Sequence, residues 1–151
     1  SDFTQAVIDR LGEVPRQLTL KSLKGLGQIS RPPSPRKPVR KELMGIDVFL
    51  HDEKLLPDEL AKILSAAAAV ATPELNLEMI TSRGVMVWPQ GHAETFMADH
   101  WRSRFTAKAP IVNARLIALL TEIDKVKLDV IQTENLYYFD GEPGFSRGQG
   151  Q

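Results

Sequence analysis

The 151-residue sequence has no cysteine. Disulfides, thiolate metal sites and thiol catalysis are therefore excluded, although the absence fixes no redox compartment. Net charge is also absent, since 19 lysines and arginines balance 19 aspartates and glutamates. No global field draws such a chain to nucleic acid or to an anionic membrane. No apolar run approaches the ~20 residues that cross a bilayer. The basic-then-apolar pattern of a secretory signal is missing from the N-terminus, so a soluble intracellular domain is the expectation. What remains is ordinary: 42% hydrophobic and 25% charged residues, in a chain long enough for one domain with a real core.

The first dozen residues read as a short amphipathic helix, with Phe3, Val7 and Leu11 at a spacing of four and Gly12 and Pro15 as stops. A helix this short is marginal alone and needs a surface to dock on. From Val14 to Lys41 the composition changes. Pro15, Pro32, Pro33, Pro35 and Pro38 interrupt regular structure, and the stretch carries basic residues without an acidic one. An extended, solvated tether explains it better than a nucleic-acid-binding arm, because no aromatic is interleaved for base stacking.

The globular part begins near Lys41. Ile46, Val48 and Leu50 alternate with Asp47, Phe49 and His51, the pattern of a half-buried strand. Pro57 opens a helix with Asp58 and Glu59 in its first turn and the stripe Leu60, Ile63, Leu64, Ala67 and Ala71; Thr72-Pro73 ends it. A second strand follows from Leu75, Leu77 and Met79, taken as one face. Ser82-Arg83-Gly84 is the turn into a third, Val85 to Trp88. Trp101, Ser103 and Phe105 alternate with His100, Arg102 and Arg104 in a fourth strand with one basic face. Asn113 is the expected cap of a second core helix, striped by Leu116, Leu119, Leu120 and Ile123. Leu128 to Thr133 is the fifth strand, and the end of the chain is aromatic and then glycine-rich. The expected fold is α+β: a five-stranded, mainly antiparallel sheet with two helices on one face, a split-βαβ, ferredoxin-like relative, preceded by a short helix and a Pro-rich linker.

Motifs that carry chemistry are scarce. His92-Ala93-Glu94 has the His-x-Glu form of zinc deaminases, but the downstream cysteines those enzymes need are missing. Glu94, Asp99 and His100 contain oxygen and nitrogen ligands, yet such a loop cluster is more often polar surface. Gly25-Leu26-Gly27 lacks the third glycine and flanking elements of a dinucleotide fingerprint. The His100, Arg102 and Arg104 face fits an ion-paired surface or subunit contact better than an RNA-binding sheet, whose aromatics lie on the open face. Catalytic, cofactor-binding and metal-binding residues are thus all read as none.

Three stretches nevertheless resemble one enzyme family. Ser1-Asp2-Phe3-Thr4-Gln5-Ala6-Val7-Ile8 is similar to the last helix of the catalytic domain in the isocitrate and isopropylmalate dehydrogenases. Gly45 to Phe49, Thr81 to Pro89 and Asp99 to Phe105 resemble hallmark segments of the extra C-terminal domain of bacterial-type, tetrameric, NADP-dependent isocitrate dehydrogenases. Thr133 to Gln151 is similar to that family's C-terminus. The chain departs from the family at Met97 and Ser103, where cysteine is common, and in its longer, more basic tether.

The resemblance implies residues 1–13 as the last helix of an absent catalytic domain, 14–41 as linker, and 42–151 as the C-terminal domain. It places the substrate arginines, metal-binding aspartates and dinucleotide contacts upstream of this chain. NADP and magnesium or manganese belong to the full-length enzyme, the catalytic domain of the same enzyme is the implied partner, and the setting is cytoplasmic, or the mitochondrial matrix in a eukaryote. The chain by itself is expected to be an inactive assembly module and a homo-oligomer, most simply two-fold. Phe49, Phe96, Tyr137, His100, Arg102 and Arg104 are its candidate contacts. A free-standing interaction module derived from that domain, or a basic-tethered nucleic-acid-binding domain, are the alternatives; the preserved first helix favours the enzyme.

Overall fold

A computed structural model describes residues 2–14, 16–19, 37–91 and 95–146. The chain divides into two units, Ser1–Lys37 and Pro38–Gln151. Most of the expected tether, and the His92-Ala93-Glu94 triplet, lie outside the described residues. In the first unit α1 spans Asp2–Ile8 and buries no residue. Phe3 within it is 79% exposed, and Leu11, three residues past its end, is 75% exposed.

The second unit runs β1 (Lys41–His51), α2 (Pro57–Ala71), β2 (Leu75–Ser82), β3 (Val85–Trp88), β4 (His100–Ala107), α3 (Asn113–Lys125), β5 (Asp129–Phe139) and β6 (Glu142–Pro143). The strands form one antiparallel sheet in the order β3-β2-β4-β1-β5-β6. The α+β expectation holds, but the sheet has six strands rather than five. The sixth arises because β5 continues six residues past Thr133 and turns back through Asp140 and Gly141, both at positive φ. That is the two-residue turn whose twist matches a hairpin. Arg83 and Gly84, also both at positive φ, make the same connection between β2 and β3.

Helix α2 begins as its sequence dictates. Pro57 occupies the first helical position, and the Glu59 carboxylate accepts the Leu56 backbone N–H at 3.1 Å. Helix α3 starts differently from expectation: Val112 is the N-cap, with no side-chain hydrogen bond, and Asn113 is already helical. The core lies on one face of the sheet. Ile46, Val48 and Leu50 of β1, with Trp101 and Phe105 of β4, pack with Leu60 and Leu64 of α2 and Leu116, Leu119 and Ile123 of α3.

Strand β2 corrects the simple alternation. A register shift between Leu77 and Met79 moves Met79 off the face of Leu75 and Leu77, and Ile80 joins the core instead. Met79 is still 1% exposed. It is buried on the opposite face, where it pairs with Arg104. An extra residue in one strand is enough to reverse the facing of everything beyond it.

Candidate assembly surface

The face away from the helices is built by register. Asp47 lies opposite Arg104, Phe49 opposite Arg102, and His51 opposite His100. Strand alternation sends all six side chains to that side. Asp47 is fully buried, and Arg104 is 1% exposed. Arg104 donates from Nε to Asp47 Oδ1 at 2.8 Å and from Nη2 to Oδ2 at 2.9 Å, a side-on fork. Arg102 donates to Asp47 Oδ2 through Nε at 2.8 Å and also through Nη2. One buried carboxylate therefore holds two guanidiniums, so the basic face of β4 is ion-paired from beneath.

The end of the chain closes over part of this arrangement. Arg104 Nη2 donates to the Ser146 carbonyl at 3.1 Å, and its guanidinium carbon lies 4.9 Å from the centre of the Phe145 ring. Phe145 in turn meets Tyr138 of β5, with ring centroids 5.9 Å apart. Two buried side-chain polar atoms have no partner among the described residues: Arg104 Nη1 here and Ser103 Oγ on the core face.

The six contact candidates divide into three groups. Phe49, His100 and Arg102 come together: the rings of Phe49 and His100 are 5.8 Å apart, and the Arg102 guanidinium sits 5.7 Å from the Phe49 ring. Arg104 supports that group from below and presents almost no surface. Phe96 lies elsewhere, 76% exposed beside Arg83. Tyr137 packs against the helix-side core, with Lys41 Nζ 3.8 Å above its ring.

The loop ends beside this face gather a second cluster. His51 Nε2 is 3.4 Å from Asp99 and 3.9 Å from Glu53, and its Nδ1 is 3.8 Å from Asp129. All four side chains are exposed. Asp99 therefore groups with His51, a residue the reading of Glu94, Asp99 and His100 did not include. Sequence could not find this group, because its members come from the ends of three different strands.

Among the described residues two carboxylates have displaced acidities. The backbone N–H groups of Leu55 and Lys54, at 2.6 and 2.8 Å, hold the Asp52 carboxyl below its usual value. The Thr72 hydroxyl, and then Arg115 at 3.0 Å, do the same for exposed Glu74. Asp52 ties down the loop after β1, and Glu74, just before β2, lines an open cleft with Lys108 and Arg115. Among the described residues no helix is long and apolar enough to cross a membrane.

An antiparallel sheet with helices on one side and an ion-paired, tail-covered second side defines an α+β module whose distinctive chemistry is structural. Residues 41–151 match the family of the bacterial isocitrate dehydrogenase C-terminal domain, and the chain belongs to that family. The NADP isocitrate dehydrogenase of Thermus thermophilus is 34% identical across 100% of this chain and 30% of its own length. That of Rickettsia bellii is 28% identical across 99% of this chain and 32% of its own. A Thermus thermophilus crystal structure superposes with a TM-score of 0.70 and 30% identity, over 99% of this chain and 30% of that one. The chain thus spans about 30% of the relatives it matches.

Proposed function

We propose that this chain is the C-terminal assembly domain of an enzyme that oxidatively decarboxylates isocitrate to 2-oxoglutarate with NADP. The carrying observation is the family match over 41–151, with the chain spanning about 30% of NADP isocitrate dehydrogenase relatives. Residues 1–13 are then the last helix of the catalytic domain, 14–41 the tether, and 42–151 the assembly domain. The exposed apolar stripe of α1 supports the first boundary, since such a stripe needs a surface to cover it. The order β2-β4-β1-β5, with α2 joining β1 to β2 and α3 joining β4 to β5, supports kinship with the split-βαβ plan.

In the full enzyme NADP accepts the hydride, and magnesium or manganese supplies Lewis-acid stabilisation of the developing enolate. This chain contributes none of those contacts. Its part is to tie catalytic domains into an oligomer through the sheet face around Phe49, His100 and Arg102 or through its edges.

The test is a graft. The Thermus thermophilus relative is truncated before its matched segment, and this chain is fused in its place. The graft should restore the oligomer and the reduction of NADP by isocitrate, while the isolated chain reduces none. Turnover by the isolated chain, or a graft with the molar mass of the truncated enzyme, would refute the proposal.

A further inference from the structure

Three carboxylates at the ends of β1, β4 and β5 share one imidazole. His51 Nε2 stands 3.4 Å from Asp99 Oδ2 and 3.9 Å from Glu53 Oε1, and its Nδ1 stands 3.8 Å from Asp129 Oδ2. Among the described residues no lysine or arginine pairs with any of the three. Arg102, on the same face of the sheet, is committed to Asp47. Even a protonated imidazole would leave two negative charges uncompensated.

The distances choose between a hydrogen-bonded cluster and an ion site. An N–H···O bond spans about 2.7–3.2 Å, and none of the three contacts is that short. Two ligand atoms about 2.0–2.2 Å from one tetrahedral ion stand about 3.3–3.6 Å apart. The His51–Asp99 separation falls inside that interval, and the His51–Glu53 separation lies just beyond it. The ligand atoms of His51, Glu53 and Asp99 all lie within 4.8 Å of one another. The backbone beneath them is fastened. His51 is paired on both sides, with His100 of β4 and Asp129 of β5. Asp52 N donates to the Asp99 carbonyl at 2.9 Å, and the Asp52 carboxylate accepts from the N–H groups of Lys54 and Leu55, which shapes the turn carrying Glu53. Rotation of exposed carboxylates is then enough to close the group on an ion.

We propose that His51, Glu53 and Asp99 hold one divalent transition ion of the zinc type, with Asp129 facing the other imidazole nitrogen. A mixed nitrogen and oxygen set suits zinc, whereas magnesium and calcium favour oxygen alone. Asp129 lies on the Nδ1 side, where a carboxylate favours the proton on that nitrogen and leaves the Nε2 lone pair to the metal. The fourth position is left to water. The ion compensates the crowded carboxylates and clips the turn after β1 to the start of β4. The inference goes beyond the assembly reading above and does not depend on it.

Isothermal titration calorimetry of the 151-residue chain with zinc chloride tests it. One equivalent should bind, and the midpoint of thermal unfolding should rise with zinc and return with EDTA. Magnesium chloride should produce neither effect. His51→Gln should abolish binding. Asp129→Asn should weaken it roughly 10- to 100-fold, and Asp99→Asn, which removes a ligand, by more. All three side chains are exposed, so the zinc-free variants should keep the circular dichroism of the parent. No binding by the parent chain, or binding that survives either His51→Gln or Asp99→Asn unweakened, overturns the site and leaves the assembly reading to the graft. Asp129→Asn with the affinity of the parent overturns its orienting role.

Discussion

Removing the charge of Asp47 should cost this domain much of its stability. Asp47→Asn keeps the shape of the side chain but leaves one acceptor oxygen where two had served Arg102 and Arg104. Arg104, 1% exposed, then keeps a buried positive charge with no counter-ion. Breaking a buried pair from one side costs about 3–5 kcal/mol. In a domain of this size that lowers the midpoint of thermal unfolding by about 10–20 °C. Arg102→Gln should cost only about 1 kcal/mol, because its side chain is 24% exposed and water takes over part of its role. Asp47→Leu combined with Arg104→Met should recover most of the single-variant loss, since apolar groups of similar volume need no compensation. Urea unfolding followed by tryptophan fluorescence measures all four proteins. Trp101 is a suitable reporter, 3% exposed with its indole N–H donating to the Asp52 carbonyl at 2.9 Å. A loss under ~1 kcal/mol for Asp47→Asn would refute the reasoning, as would a double variant no more stable than Asp47→Asn.

Ser103→Ala should stabilise the fold by about 1 kcal/mol in the same assay, because it removes a buried hydroxyl that has no partner. Ser103→Cys should do so too, since a buried thiol behaves as a small hydrophobe. Gly45→Ala should destabilise by about 3 kcal/mol or prevent folding: its Cβ would stand 2.1 Å from the Phe105 carbonyl oxygen, a backbone atom that cannot swing aside. The contribution of Asp52 should depend on pH. Its folded carboxyl titrates below the ordinary aspartate value of 3.8, so its stabilisation is complete above that value and fades as pH falls through the lowered one. Acid unfolding of Asp52→Ala should therefore lose that part of the pH dependence, and an identical acid limb would count against the assignment.

Much of the fold is legible residue by residue. The alternation of Ile46, Val48 and Leu50 gives β1, the stripe from Leu60 to Ala71 gives α2, and the stripe from Leu116 to Ile123 gives α3. Each pattern reflects a local period, 2 for a strand or 3.6 for a helix, and survives whatever the rest of the chain does. Three features escaped such reading. Met79 alternates with Leu75 and Leu77 in sequence yet lies on the other face, because a bulge leaves no local periodic mark. The second half of β5 and all of β6 were missed, although Asp140-Gly141 is a hairpin signal, because the aromatic and glycine-rich composition masks the alternation. The cluster of His51, Glu53, Asp99 and Asp129 was invisible because its members are distant in sequence.

The sequence by itself determined the class of the domain, its two core helices, the half-buried strands and, through quoted segments such as Asp99 to Phe105, its family. Only the tertiary structure decided that Asp47 lies beneath both arginines, turning a basic strand face into a buried ion-paired one. The same holds for β5, which among the described residues meets β6 only at Tyr138 and Phe139. Local periodicity fixes which way a side chain points along its own element. Strand order and register, set by long-range pairing, decide what it meets there.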